Sequence, residues 1–160
     1  MSFVSSTELA TIKKTQAAEQ NWIDSRMAFM QQLLLARKFN DNLSIQIAPT
    51  YIYRNIVGDA QLDKNLFALG IGGRYRISGK VFLNAEYILV HRENPEYYGI
   101  KYYNPLSFGV DIITGGHVFQ ITITNSRSMR ENGFIGNTIE SWTDGGIHLG
   151  FNISRTFIFY

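Results

Sequence analysis

The sequence predicts an all-β protein, an antiparallel up-and-down transmembrane β-barrel with eight strands in this chain. Three observations predict it. Apolar residues alternate with small or polar ones, short and long connections alternate along the chain, and aromatic side chains cluster near the ends of the alternating stretches. We assign residues 1–160 to a single domain, either a complete barrel or the C-terminal part of a larger one.

Composition excludes several classes of protein. The chain is 45% hydrophobic and 18% charged, with 14 Gly against 3 Pro, which is unlike a disordered or collagen-like chain. The absence of cysteine rules out disulfides, thiolate catalysis and Cys-ligated zinc. A net charge of +2, spread along the chain, argues against nucleic acid as a partner. The longest aliphatic run, residues 33–36, is far shorter than the run of about 20 that a membrane-spanning helix needs.

The first two predicted elements have the weakest patterns. Residues 2–13 predict a weak strand. Over residues 16–38, a helix and a strand both fit. Ile23, Met27, Met30 and Leu34 lie on a helical stripe, and the apolar residues at positions 23, 27, 29, 33 and 35 lie on one face of a strand. We favour the strand, because a three-residue turn at 40–42 then joins its apolar face to the apolar face of the next strand.

From residue 43 onward, six stretches have a period of two, which is the spacing of a strand. One face of each is nearly all apolar and the other is small or polar. The predicted strands span residues 43–53, 67–77, 81–89, 106–112, 119–123 and 147–159. Long connections at 54–64, 92–104 and 126–145 alternate with short turns, as in outer-membrane barrels, where one end has tight turns and the other has extended loops.

Each short turn predicts which residues face each other, because directly opposed residues lie on one face of a hairpin. The turn at 40–42 is rich in Asn and joins Phe39 to Leu43. The turn at 77–79 is expected to place its glycine in the left-handed region and to oppose Tyr75 to Val81 and Ile71 to Ala85.

The third turn is the pair Gly115 and Gly116. A two-residue loop of this kind predicts that Ile112 opposes Phe119 and that Asp111 opposes Gln120. All three turns join apolar face to apolar face.

A period of two does not say whether the apolar face contacts lipid or the core of a soluble sheet. We favour lipid because the opposite faces carry charged, glycine and hydroxyl residues that suit a hydrated barrel interior, and because the chain ends in an aromatic strand like the assembly signal of outer-membrane proteins. The aromatic residues near strand ends are Tyr51, Tyr53, Tyr103, Trp142, Phe157, Phe159 and Tyr160.

Several stretches resemble a Bacteroidetes-type family of outer-membrane β-barrels with no assigned function. They are residues 32–39, 67–75, 109–120, 124–126 and 150–155, and the most specific is the Asp-x-x-Thr-Gly-Gly-His-Val-Phe-Gln segment that begins at Asp111. Members of that family are longer and begin with a signal peptide, so the resemblance implies that this chain is a C-terminal portion. It brings no catalytic residues.

Chemical motifs are weak. His91, His117 and His148 lack metal-ligand spacing, and the glycines at 70–73 lie inside a strand, where they bend it or give Glu86 room. Ser107 and Asp111 could be joined with His148 in a nucleophilic set, but they lie about 13 Å apart along one strand. We therefore expect no enzyme, no cofactor and no metal.

The candidate site is the polar interior of the barrel. In a barrel of eight strands these residues would form a salt-bridge network, and in a wider one they would line a selective passage. The candidates are Arg26, Arg74, Arg76, Asn84, Glu86, Asp111, Gln120 and His148.

We expect a bacterial outer-membrane protein, and first a passive pore or transport-associated barrel without catalytic chemistry. The alternatives are a structural or partner-binding membrane protein that presents its extracellular loops, and a soluble β-sheet binding module. The expected partners are outer-membrane lipid, the barrel-assembly machinery through the C-terminal strand, and possible protein partners. Residues 2–13 offer a poor lipid-facing surface, so we expect them to pair with a preceding segment rather than with 147–159.

Overall fold

Strands make up nearly all the regular structure in the computed structural model, which describes residues 1–9, 11, 27–55, 63–97 and 99–155. Eight antiparallel strands form one sheet in chain order, and the sheet curls into a half-barrel. They are β1 (Ser2–Leu9), β2 (Met27–Lys38), β3 (Leu43–Arg54), β4 (Asn65–Arg76), β5 (Val81–His91), β8 (Leu106–Thr114), β9 (His117–Thr124) and β10 (His148–Arg155). The all-β, eight-stranded prediction is confirmed.

Among the described residues, two connections contain structure of their own. Between β5 and β8, β6 (Glu96–Tyr97) and β7 (Ile100–Lys101) form a separate small hairpin. Between β9 and β10 lie the helix α1 (Glu131–Gly136) and a 3-10 turn, Trp142–Asp144. Within the described part of the chain, no helix is long and apolar enough to cross a membrane.

The choice of a strand over a helix before residue 38 is confirmed from Met27 onward, because β2 pairs with β1 on one side and β3 on the other. Strands β1 and β10 occupy the two edges of the sheet, and among the described residues no ladder joins them. The pairing of residues 2–13 with a preceding segment stays a prediction. The aromatic terminus, with Phe157, Phe159 and Tyr160, lies outside the described residues.

Two of the three turns have the predicted register. Phe39 and Leu43 close the first, and the Asn40 side chain accepts hydrogen bonds from the amides of Asn42 (2.9 Å) and Leu43 (2.8 Å). In the glycine turn, Gly115 and Gly116 have φ of 52° and 86°, which fits a tight two-residue hairpin.

That glycine turn produces the predicted pairs. Ile112 pairs with Phe119, and Asp111 pairs with Gln120. Both predictions are confirmed.

The register predicted for the turn at 77–79 is wrong by two residues. Tyr75 pairs with Leu83 and Ile71 with Tyr87, because the ladder continues to a bond of 2.9 Å from the Ile77 amide to the Val81 carbonyl. The connecting residues are therefore 78–80. Gly79 is not in the left-handed region, since the Arg76 guanidinium donates to the carbonyls of Ser78 and Gly79 and stabilises a different turn.

This shift leaves every side chain on its predicted face, because it changes the register by an even number of residues. Odd-numbered residues of β3, β4 and β5 form the outer face, where Phe67 is 57% exposed and Ile71 is 45% exposed. Even-numbered residues of these strands form the inner face, toward which α1 packs.

The inner face has two halves. Near the long connections it is apolar, and a core cluster forms there between the sheet and Ile135 of α1. The sheet residues of this cluster are Met30, Ile52, Leu66, Ala68 and Ile88. Near the short turns the same face is polar. The sequence analysis described the whole face as small or polar, so the apolar half is a correction.

Candidate functional site

The inner face carries the predicted site residues that the structure describes, six of them in its polar half and His148 at the long-connection end. Ladder pairing places seven of the eight on this face: Arg74 and Arg76 on β4, Asn84 and Glu86 on β5, Asp111 on β8, Gln120 on β9 and His148 on β10. Arg26 lies outside the described residues.

Asp111 is the centre of a hydrogen-bonded cluster that spans four strands. Its carboxylate is 3.0 Å from the Arg74 guanidinium, and it accepts hydrogen bonds from the side-chain amides of Asn84 (2.6 Å) and Gln120 (2.9 Å). Its residue exposure is only 6%. Because three donors converge on one buried carboxylate, this cluster ties β4, β5, β8 and β9 together.

Glu86 has a different environment on the same face. Its direct neighbours across the two ladders are Gly72 on β4 and Ser107 on β8. A Cβ added to Gly70 or Gly72 would lie 3.8 Å or 4.0 Å from the Glu86 Oε1 atom. Among the described residues the carboxylate has no hydrogen-bond or ion-pair partner.

The residues around Glu86 form a concave depression of about 340 Å³. Its lining is mostly small or polar and includes Gln46, Gly109 and Thr122. Glycines on neighbouring strands remove side-chain bulk from this part of the wall. The depression can therefore hold water or a small solute next to a carboxylate.

The apolar half of the inner face is covered by the connection between β9 and β10. Arg54, at the end of β3, donates to the Asn137 side chain and to the Asp63 carbonyl, each at 2.9 Å. Arg92, just after β5, donates to the carbonyls of Ile135 (3.0 Å) and Gly136 (3.1 Å).

We call these two residues, Arg54 and Arg92, the arginine clamp. Both side chains donate hydrogen bonds at the C-terminal end of α1. Unpaired carbonyls and the helix dipole make a cation favourable at that position. Burial and the nearby Arg54 charge lower the pKa of Arg92 to about 10, so it stays charged at neutral pH. The clamp therefore keeps two positive charges directed at the helix end.

Two further contacts fasten this connection to the sheet. The Asn125 side chain donates to the Glu140 carbonyl at 2.9 Å, and the Glu140 carboxylate is 2.5 Å from the Nε2 atom of His148. Arg127 approaches the same carboxylate at 3.7 Å. The connection therefore lies folded against the inner face at the long-connection end.

The motifs considered from sequence have other roles. His91 and His117 lie on the outer face, near the strand ends. The carboxylate bonded to His148 is that of Glu140, while Asp111 is occupied by the amide and guanidinium donors of its own cluster. Within the described ranges, no group of three His, Asp or Glu residues is placed to hold a metal ion.

Sequence reasoning did not identify the arginine clamp, Asn137 or Glu140 as site residues. The available signal was that Ile52, Leu66 and Ile88 are apolar at inner-face positions near the strand ends. Apolar residues on both faces of a strand end predict that something covers the inner one. Nothing in the sequence names the covering segment.

A family model described as a membrane bound beta barrel domain (DUF5777) matches residues 1–157. The searches of curated proteins and of solved structures found no match.

Proposed function

This chain belongs to the family of membrane-bound β-barrel domains, and on that premise we propose that it acts as a passive pore in the bacterial outer membrane. The observation that carries this proposal is the contrast between the faces of one sheet. The outer face exposes large apolar side chains, whereas the turn-side half of the inner face carries Arg74, Glu86 and Asp111. Charged groups at membrane depth need water or polar partners, which a water-filled passage supplies.

Strand length and aromatic placement support a membrane-spanning sheet. Strands β2 to β5 have 11 or 12 residues, enough to cross a bilayer when tilted. On the outer face, Tyr51 packs on Phe67 with ring centroids 5.1 Å apart, and its hydroxyl donates to Asn65 at 2.7 Å. An aromatic body with a polar tip near a strand end is typical of the membrane interface.

The connection between β9 and β10 is the constriction of the proposed pore. Its helix fills the apolar half of the inner face and is held by the arginine clamp. Passage is then narrowest at the long-connection end and opens toward the polar half. Lipid and the barrel-assembly machinery are the proposed partners, with no catalytic chemistry and no cofactor.

Conductance in planar bilayers tests the pore. Gly72→Trp should lower single-channel conductance, because the new ring fills the depression beside Glu86. Ile71→Trp is the matched control, since its side chain lies on the outer face and should leave conductance unchanged. Absence of conductance from correctly inserted wild-type protein contradicts the proposal.

A second candidate function is the binding of a protein partner at the outer surface. Met129 is 82% exposed and Ile139 is 48% exposed, and both belong to the connection that holds α1. An exposed methionine is flexible and polarizable, and such side chains are common at protein-binding surfaces. Photo-crosslinking from position 129 in cells should give one discrete adduct if this function holds, and no adduct if it does not.

A further inference from the structure

We infer that Glu86 determines the charge preference of the proposed pore and makes it favour cations. This inference rests on the pore function and names the residue that would select among its solutes. The observation behind it is that Glu86 is the inner-face charged residue for which the described chain offers no hydrogen-bond or ion-pair partner.

The other carboxylates near this face each have a charged or hydrogen-bonding partner. Asp111 is paired with Arg74 and accepts two further hydrogen bonds. Glu8 lies 3.7 Å from Arg130, and Glu140 is bonded to His148. A paired carboxylate presents little net field to a passing ion, because its partner carries the opposite charge.

The cations of this face are also separated from Glu86 or occupied. Arg74 lines the same depression, but its guanidinium is 3.0 Å from the Asp111 carboxylate, which offsets its charge. The arginine clamp is directed at the end of α1. Arg76 bonds to the turn carbonyls and lies four residues along β4 from Gly72, the ladder neighbour of Glu86, or about 13 Å at strand spacing. That separation exceeds the Debye length of about 8 Å at physiological salt. The charge of Glu86 therefore dominates its own depression.

The space around the carboxylate lets an ion approach it. Gly70, Gly72 and Ser107 surround it, and the added-Cβ distances of 3.8 Å and 4.0 Å show that the wall beside it ends at the backbone. A hydrated cation can come within a few ångströms of the Oε atoms. A carboxylate beside the passage attracts cations and repels anions, by the same electrostatics as the carboxylate rings of cation channels.

The test is the reversal potential of single channels under a KCl gradient centred on physiological ionic strength, where the charge of Arg76 is screened from Glu86. Wild-type protein should prefer K⁺ to Cl⁻, and Glu86→Gln should lower that permeability ratio about fivefold, as expected for the loss of one unit charge some 4 Å from the ion. Glu86→Asp should keep the preference, and Glu86→Lys should reverse it. Glu96→Gln, in the exposed β6–β7 hairpin, is the matched control and should change nothing.

The outcomes separate this inference from the proposed function. A conducting wild-type channel that prefers anions, or one whose preference is the same in Glu86→Gln, overturns the role of Glu86 and leaves the pore intact. A wild-type protein that inserts and does not conduct overturns the pore itself, and the inference with it. The wild-type measurement alone can contradict the inference. The test therefore does not depend on the folding of any variant.

Discussion

At the scale of single residues, the inner face depends on side chains that satisfy several partners at once. Asp111 accepts from Arg74, Asn84 and Gln120, which come from three other strands. A carboxylate with this many donors holds its neighbours in register, because removing it leaves each donor without its partner.

Asp111→Ala should therefore lower the free energy of unfolding by about 1–3 kcal/mol, a range kept moderate because the Arg74 side chain is partly solvated. The measurement is urea unfolding in detergent micelles. Asp144→Ala, an exposed carboxylate on the 3-10 turn, should change the same free energy by less than about 0.5 kcal/mol. Equal effects of the two substitutions would contradict the bracing role of Asp111.

Position 116 needs a glycine because its φ is positive, not because neighbouring atoms exclude a side chain. Its φ is 86° and nothing lies within 4 Å of an added Cβ, so Gly116→Val should cost about 1–2 kcal/mol of strain alone. Gly79→Val is the comparison, since Gly79 lies in a turn and is outside the left-handed region. Unfolding midpoints of the two variants check this. A larger loss for Gly79→Val would show that the glycine turn tolerates a side chain.

The contacts of a single residue could be predicted from the sequence only where its partner is close along the chain. The Asp111 and Gln120 pair follows from the glycine turn between them, and the structure confirms it. Arg54 and Asn137 are 83 residues apart in the chain, and no turn or period connects them. The register error at residues 77–79 has a different origin, because the bonds from Arg76 to the turn carbonyls are local but depend on a side-chain conformation that alternation does not specify.

At the scale of elements, α1 is the part of the fold that the strand pattern did not reveal. A helix of six residues is too short to be stable alone, so its position depends on packing and on the arginine clamp. Ile135 is 2% exposed against the sheet, while Gly136 lies so close to Arg54 that an added Cβ would be 3.1 Å from its Nη1 atom. The sequence of residues 126–145 predicts only a long connection.

Removing the clamp should free this connection. The double variant Arg54→Ala with Arg92→Ala removes the three hydrogen bonds from these arginines to residues 135–137. Trypsin should then cut after Arg130 about tenfold faster, because local opening of the connection becomes more frequent. Lys80→Ala, in an exposed turn at the opposite end, is the control. Cleavage at the wild-type rate would show that packing alone holds α1.

At the scale of the whole molecule, the proposed function depends on which medium each face of the sheet contacts. The strands, their order and their faces were predictable because a period of two and three short turns determine them. The separate edges of β1 and β10 agree with the expectation that residues 2–13 do not pair with residues 147–159, among the residues described. The curvature of the half-barrel was not predictable from alternation, because it depends on the whole sheet.

The free energy of unfolding of a variant with a charge on the outer face tests whether that face contacts lipid. Ile121 is 45% exposed on β9, and Ile121→Arg should cost about 2–4 kcal/mol if that side chain lies at mid-depth in lipid. Gln46→Arg, on the inner face, should cost much less because its side chain meets the polar depression. Unfolding in lipid vesicles measures both, and similar costs would argue against a lipid-facing outer surface.

Thiol labelling along β9 tests the central claim most directly, and the chain suits it because it has no cysteine of its own. Single substitutions to Cys at Gln120 and Thr122, on the inner face, should react with a water-soluble maleimide in intact membranes. Substitutions at Ile121 and Ile123, on the outer face, should be protected by lipid and react only after unfolding. Strictly alternating reactivity is the predicted result, and equal reactivity of all four positions in intact membranes would contradict the account.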